Sequence, residues 1–335
     1  MKKFFFSLVA AMIATVSFAQ NTLVATLSHG EDVSMYYGVN ALRSAMNAAV
    51  SGDVINLSGG AFSSVNITKA VTLRGTGIDD PLPTYISGDF TINIPTSDEN
   101  RIMMEGIRCT NRIYMDGIFS SAYFLKCKFD GFEYISSSVI TTTIFADCKI
   151  TDSSFYLNGK SNVQFINSYV AGFYNMSETT ATAFFLNCVV KPISYNYNTD
   201  NAEYIKSSQL LNCIIVFSRG YKYSLPVSTI VLNCLSVNYD GAFSNSQINR
   251  DCKYASYADV FKDFTGTYSD SQTFELTDEA KAAFLGDDGT QMGMHGGVMP
   301  YNSTPSYPQI TTMNVANKAT ADGKLSVEIE VSAAE

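Results

Sequence analysis

The chain has 335 residues, with 22 Lys and Arg against 31 Asp and Glu and a formal net charge of −9. That balance repels nucleic acid and anionic membrane surfaces, so no nucleic-acid partner is expected. Only two histidines, His29 and His295, are present, which leaves little material for a Ser-His-Asp arrangement or a zinc centre.

Residues 1–19 read as a secretory signal peptide: Lys2 and Lys3, the apolar run Phe4 to Phe18, then Ser17-Phe18-Ala19 ahead of Gln20. The run is short for a span of ~20 apolar residues, and Gln20 stands where a bacterial lipoprotein needs Cys. The expectation is export to the periplasm, cell surface or exterior, with cleavage after Ala19 and no membrane span in the mature chain. Two lysines and no acids are lost, leaving 20 bases against 31 acids, or −11.

Residues 20–36 form a lead-in. From Asn40 to Val50, Ala41, Leu42, Ala45, Met46 and Ala49 recur at helical spacing, with Asn40 as N-cap and Gly52 as stop signal. Asp53 to Leu57, Val65 to Ile67 and Val71 to Arg74 read as strands, and Gly75-Thr-Gly77 as a corner. A helix in this place covers the open end of a stack of strands, where unpaired edges invite aggregation.

Further along, one motif recurs: Phe124-Leu-Lys-Cys127-Lys-Phe129, Phe145-Ala-Asp-Cys148-Lys-Ile150, Phe165-Ile-Asn-Ser168-Tyr-Val170, Phe185-Leu-Asn-Cys188-Val-Val190, Leu210-Leu-Asn-Cys213-Ile-Ile215 and Val231-Leu-Asn-Cys234-Leu-Ser236. The Cys/Ser positions step by 21, 20, 20, 25 and 21 residues. A fixed period of this length is the signature of a solenoid. Six of the seven cysteines share this slot or its continuation at Cys252, and they read as small buried residues in a stacked row of mostly free thiols. The Asn run at 167, 187, 212 and 233 reads as corner residues, because Asn tolerates left-handed backbone.

Ala41 to Leu57, the pair Val71 to Gly77 and Ile86 to Ile92, and the repeated Asn-Cys motif together resemble pectin-lyase-like proteins. The resemblance covers roughly residues 35–255. It implies an all-β, right-handed single-stranded parallel β-helix over residues 37–255, with an N-terminal capping helix. It also implies a range of activities: polysaccharide lyases, glycoside hydrolases, epimerases, esterases, adhesins and exported proteins without catalysis.

Residues 256–304 read as an end segment and linker. Thr277 begins a short helix with Asp278 and Glu279 in its first turn, a turn-dense run spans Gly286 to Gly297, and Pro300, Pro305 and Pro308 suggest a connector. Residues 305–335 read as a β-hairpin, Ile310 to Val315 and Lys324 to Val331, expected to cap the last coil, with the start of a small attachment module as the alternative.

No two- or three-acid centre assembles from equivalent positions, so catalytic residues stay unassigned, and no metal site or cofactor is expected. The candidate binding residues are Arg108, Lys126, Lys128 and Lys149, with Tyr169 beside them, as a cationic strip suited to anionic sugars. Tyr195 and Tyr197, in the longest step between motifs, join them as a projecting aromatic loop. The functional expectation is a non-catalytic exported protein that binds a glycan or surface partner along its side. The alternatives are a lyase or hydrolase of acidic polysaccharide and a purely structural surface protein; the oligomeric state is open.

Overall fold

The corners of this chain are set by residues held in the left-handed region. Lys126, Asp147, Asn167, Asn187, Asn212 and Asn233 have φ between 46° and 55°, a conformation that costs most L residues roughly 1–2 kcal/mol but that Asn and Asp tolerate through local hydrogen bonds. Each of these corners ends a strand and turns the next residue, usually Cys, inward.

A computed structural model describes residues 23–332, apart from Asp80, 97–100, Ser136, 152–154, 158–159, 176–180, 193–204, Lys206, 218–223, 265–268, Asp270, 316–321 and Leu325. It is an all-β parallel solenoid. One sheet stacks Val54–Leu57, Thr72–Arg74, Arg101–Glu105, Ile118–Leu125, Val139–Ala146, Asn162–Ile166, Thr182–Leu186, Ser208–Leu211, Ile230–Leu232 and Ile248–Arg250, all parallel. The second stacks Gly60–Ser63, Thr84–Ser87, Ile107–Met115, Lys128–Tyr134, Lys149–Ile150, Tyr169–Asn175, Val189–Pro192, Ile214–Val216, Leu235–Val237 and Lys253–Ala255. Val65 to Ile67, expected as a strand, contributes only a bridge from Ile67 to Ile92.

The register reproduces the sequence period. Lys128, Lys149, Tyr169, Val189, Ile214 and Leu235 pair in succession, at steps of 21, 20, 20, 25 and 21 residues. The residue before each forms the inward column Cys127, Cys148, Ser168, Cys188, Cys213 and Cys234, continued by Cys252. All are free, and all but Cys252 are buried. Cys109 stands one slot along, paired with Phe129.

The thiols do more than fill space. Cys127 Sγ donates to Leu125 O of its own coil and to Met104 O of the preceding coil, at 3.3 and 3.5 Å. Ser168 keeps the same pattern, to Ile166 O and Phe145 O. The slot therefore suits a small donor, which explains how Ser replaces Cys there. Beside it, Phe124, Phe145, Phe165 and Phe185 stack with ring centroids 4.8 to 5.1 Å apart, each contact contributing ~0.5–1.5 kcal/mol beyond area burial.

At the N-terminal end, Ala41–Ala48 is helical and buries Ala41, Leu42, Ala45 and Met46 over the first coil. Asn40 occupies the N-cap position but makes no side-chain cap bond. The lead-in is itself structured: Val24–His29 and Asp32–Tyr37 form an antiparallel hairpin that extends the first sheet through Val54–Leu57.

After Ala255 the chain folds back over the outside of the second sheet. Helices Tyr257–Val260 and Asp278–Ala283 lie in this strap; Thr277 caps the second, its hydroxyl accepting from Ala280 N at 3.1 Å. The Pro-rich stretch is packed, with Pro305 buried beside Gly77 and Gly106. Gln309–Val315 and Val327–Ser332 then pair antiparallel. This hairpin follows Tyr307, whose hydroxyl donates to Gly75 O. It leaves from an early coil, so the expectation that it caps the last coil is corrected: the strap has already run back along the stack.

Candidate functional site

Arg108, Lys128, Lys149 and Tyr169 do share one outward column on consecutive coils. Lys126 does not join them. Counted from the cysteines, Arg108 before Cys109 falls level with Lys126 before Cys127, whereas the register pairs Arg108 with Lys128. Lys126 sits at the left-handed corner, and its Nζ donates to Thr304 O of the strap at 2.5 Å.

The strap then takes the Tyr169 end of the column out of solvent and leaves Lys149 half-buried. Tyr169 is buried against Phe274, rings stacked at 4.4 Å, inside a second apolar cluster with Val189, Ile214, Leu235 and Met294. Tyr301 lies 5.3 Å from Lys149 Nζ, and burial lowers the Lys149 pKa. Tyr169 therefore has no face to offer a sugar. Arg108 and Lys128 stay half-buried, with the Arg108 guanidinium over Tyr85 at 5.3 Å. Tyr195 and Tyr197 lie outside the described residues.

A different outward column carries the aromatic surface. Thr91, Tyr114, Glu133, Tyr156 and Tyr174 occupy consecutive rungs of the second sheet's continuation. The four from Tyr114 to Tyr174 are half-buried, and at ~4.8 Å per rung they cover ~14 Å along the stack. Tyr156 and Tyr174 pack edge to face at 5.7 Å. The Arg112 guanidinium lies over Tyr156 at 5.5 Å and pairs with Glu133 Oε2 at 3.2 Å.

Beside this column is an open polar groove of about 310 Å³, lined by Asp89, Thr110, Asn111, Arg112, Tyr114, Asp130 and Gly131. Its carboxylates are already engaged: Asp89 Oδ1 accepts from Arg112 N at 3.0 Å, and Asp130 Oδ1 from the Thr151 hydroxyl at 3.1 Å. Fixed partners hold both side chains while leaving further lone pairs toward the groove. Among the described residues, no three His, Cys, Asp or Glu side chains come together as a metal site.

Sequence reasoning did not find this face, for a definite reason. A register irregularity between Phe129 and Gly131 changes the step from 20 residues at Lys128 to 19 at Phe132. A fixed period read outward from the cysteines therefore falls out of phase before it reaches Tyr114 and Glu133.

Comparison with protein-family models, with curated proteins and with solved structures returned no match to this chain. Among the described residues, no helix is long and apolar enough to cross a membrane.

Proposed function

We propose that this chain is an exported, pectin-lyase-like right-handed β-helix protein that binds a glycan strand without cleaving it. The strand would lie along the stack on Tyr114, Tyr156 and Tyr174. The observation that carries this reading is that column of tyrosines beside an open groove of held polar groups. Sugar rings present apolar faces edged by hydroxyls. Aromatic surfaces with a few fixed donors and acceptors, here Asn111, Arg112 and Asp130, suit both aspects.

One observation favours a second reading. Asp89 and Asp130 line the same groove, and paired carboxylates are the minimal equipment of glycoside hydrolysis. The resemblance to lyases and hydrolases keeps that alternative in view. One oxygen of each carboxylate is fixed by a structural donor, Arg112 N or the Thr151 hydroxyl, and the groove wall carries the tyrosine column, so the binding reading is preferred.

The test is retention of the purified protein on a panel of neutral and acidic polysaccharides, with unsaturated products and reducing ends followed in parallel. Retention that Tyr156→Ala and Arg112→Ala weaken about tenfold, a loss of ~1.4 kcal/mol, supports binding. Product formation that Asp130→Asn abolishes would establish the enzyme instead. The absence of both retention and product with every polysaccharide would overturn both readings and leave a structural surface role.

A further inference from the structure

Among the described residues, a run of exposed apolar side chains lies far from the tyrosine column, on strand Asp32–Tyr37. Val33 is 62% exposed, Met35 53%, Tyr37 62% and the following Val39 64%. The first three alternate along one face of the strand, and Tyr36 turns the other way into the core. This strand is also the outermost of the first sheet: it pairs with Val24–His29, and among the described residues no strand lies beyond it. Its free edge carries no Lys, Pro or bulge of the kind that keeps such edges from pairing.

We infer that this edge is a two-fold interface at which a second copy of the chain continues the sheet. In an antiparallel pair, opposed residues face the same side. Keeping Val33, Met35 and Tyr37 of both copies on one side therefore fixes the register to an odd residue opposite an odd one. The centred choice puts Met35 on the axis against the partner's Met35, with Val33 against the partner's Tyr37. The contact is self-complementary, as a two-fold interface must be.

Charge complementarity selects a second copy over an unrelated strand. In this register Glu31 and Asp32 come beside the partner's Val39 and Gly38, at the entry to the partner's helix. The corresponding helix, Ala41–Ala48, has no acid in its first turn and no side-chain cap at Asn40. Ala41 N donates to Gly38 O at 2.9 Å, and the positive dipole end of the uncapped helix favours neighbouring carboxylates. The turn of one copy thus supplies what the helix of the other lacks. No like charges are opposed along the paired strands.

The experiment is the mass of the purified protein by sedimentation equilibrium at rising concentration. A doubling of mass is expected. Met35→Lys should abolish it while leaving circular dichroism unchanged and the unfolding temperature equal to that of the dilute, monomeric parent. Cross-linking reads the register independently, in a Cys252→Ser background that removes the one thiol not buried. Under mild oxidation Met35→Cys should link to itself. Val33→Cys should link only when mixed with Tyr37→Cys. A monomer at every concentration, a dimer that Met35→Lys leaves intact, or self-linking of Val33→Cys as efficient as that of Met35→Cys would each overturn the proposal.

Discussion

Asn212 and Asp287 exchange a reciprocal pair of hydrogen bonds, Asn212 Nδ2 to Asp287 Oδ1 at 2.8 Å and Asp287 N to Asn212 Oδ1 at 3.1 Å. The same side-chain column that turns the coils thus also fastens the returning strap. Asn167 Nδ2 donates to Met294 O and Gly296 O, Lys126 to Thr304 O, and the buried Glu105 carboxylate accepts from Ser306 N and Oγ. Asn212 carries two separable duties. Asn212→Gly removes the hydrogen bonds but suits φ 55°, and should cost ~1–3 kcal/mol at ~0.5–1.5 per bond. Asn212→Ala adds the left-handed penalty of ~1–2 kcal/mol and should be the less stable of the two. Urea unfolding measures the order; an Ala variant as stable as the Gly one would reject the backbone account.

Gly297 tests the strap as cover. A Cβ there would lie 2.2 Å from Asn187 Nδ2, and its φ is 82°. Gly297→Ala should therefore lift the strap locally and open the apolar cluster around Tyr169 and Phe274. Enhanced binding of a hydrophobic dye, and early proteolytic cleavage between residues 287 and 307, are the expected readouts. A variant as resistant as the parent would mean that the strap accommodates the methyl elsewhere.

How much of this was written in the sequence depends on which side chains the period governs. The cysteine slot, the Asn corners and the outward run Lys128, Lys149 and Tyr169 were legible, because alternation and a constant step fix them together; Arg108 was set one slot off, level with Lys126. Two things were not. The burial of Tyr169 depends on Phe274, over a hundred residues away and reached only once the strap folds back. Tyr114, Tyr156 and Tyr174 stand beyond an irregularity that breaks the count. The hairpin Val24–Tyr37 was hidden too, since a short antiparallel pair carries no repeat; its clue was the tight turn at Gly30, with φ 58°.

His29 joins that hairpin to the body of the fold. Its Nδ1 lies 2.6 Å from Asp53 Oδ1, and Asp53 Oδ2 accepts from Val50 N just after the helix. The hydrogen bond and charge of Asp53 raise the His29 pKa above its usual 6.5. A raised pKa means that the stabilisation is fully present below 6.5 and is lost as pH rises through the folded value. Proton NMR titration of the His29 ring should show the upward shift, and Asp53→Asn should remove it. An unshifted midpoint in the parent chain would dissolve the link.

Asp147 places a largely desolvated carboxylate at one of the corners, and it makes the sharpest prediction. Burial raises its pKa from 3.8 to about 6, against the opposing effects of a backbone hydrogen bond from Asn302 and the charge of Lys126. Because the folded value lies above the unfolded one, its contribution to stability is present below about pH 4 and is lost as pH rises toward and through 6. The next four corners along the stack are Asn, which has the same shape, tolerates φ near 50° and carries no charge to desolvate. Asp147→Asn should therefore stabilise the protein at pH 7 to 8, have little effect near pH 4, and flatten the slope of stability between them. Unfolding free energies across that range decide it, and a variant that is less stable at pH 8 than the parent would show that the ionised carboxylate, rather than its shape, holds the strap at this corner.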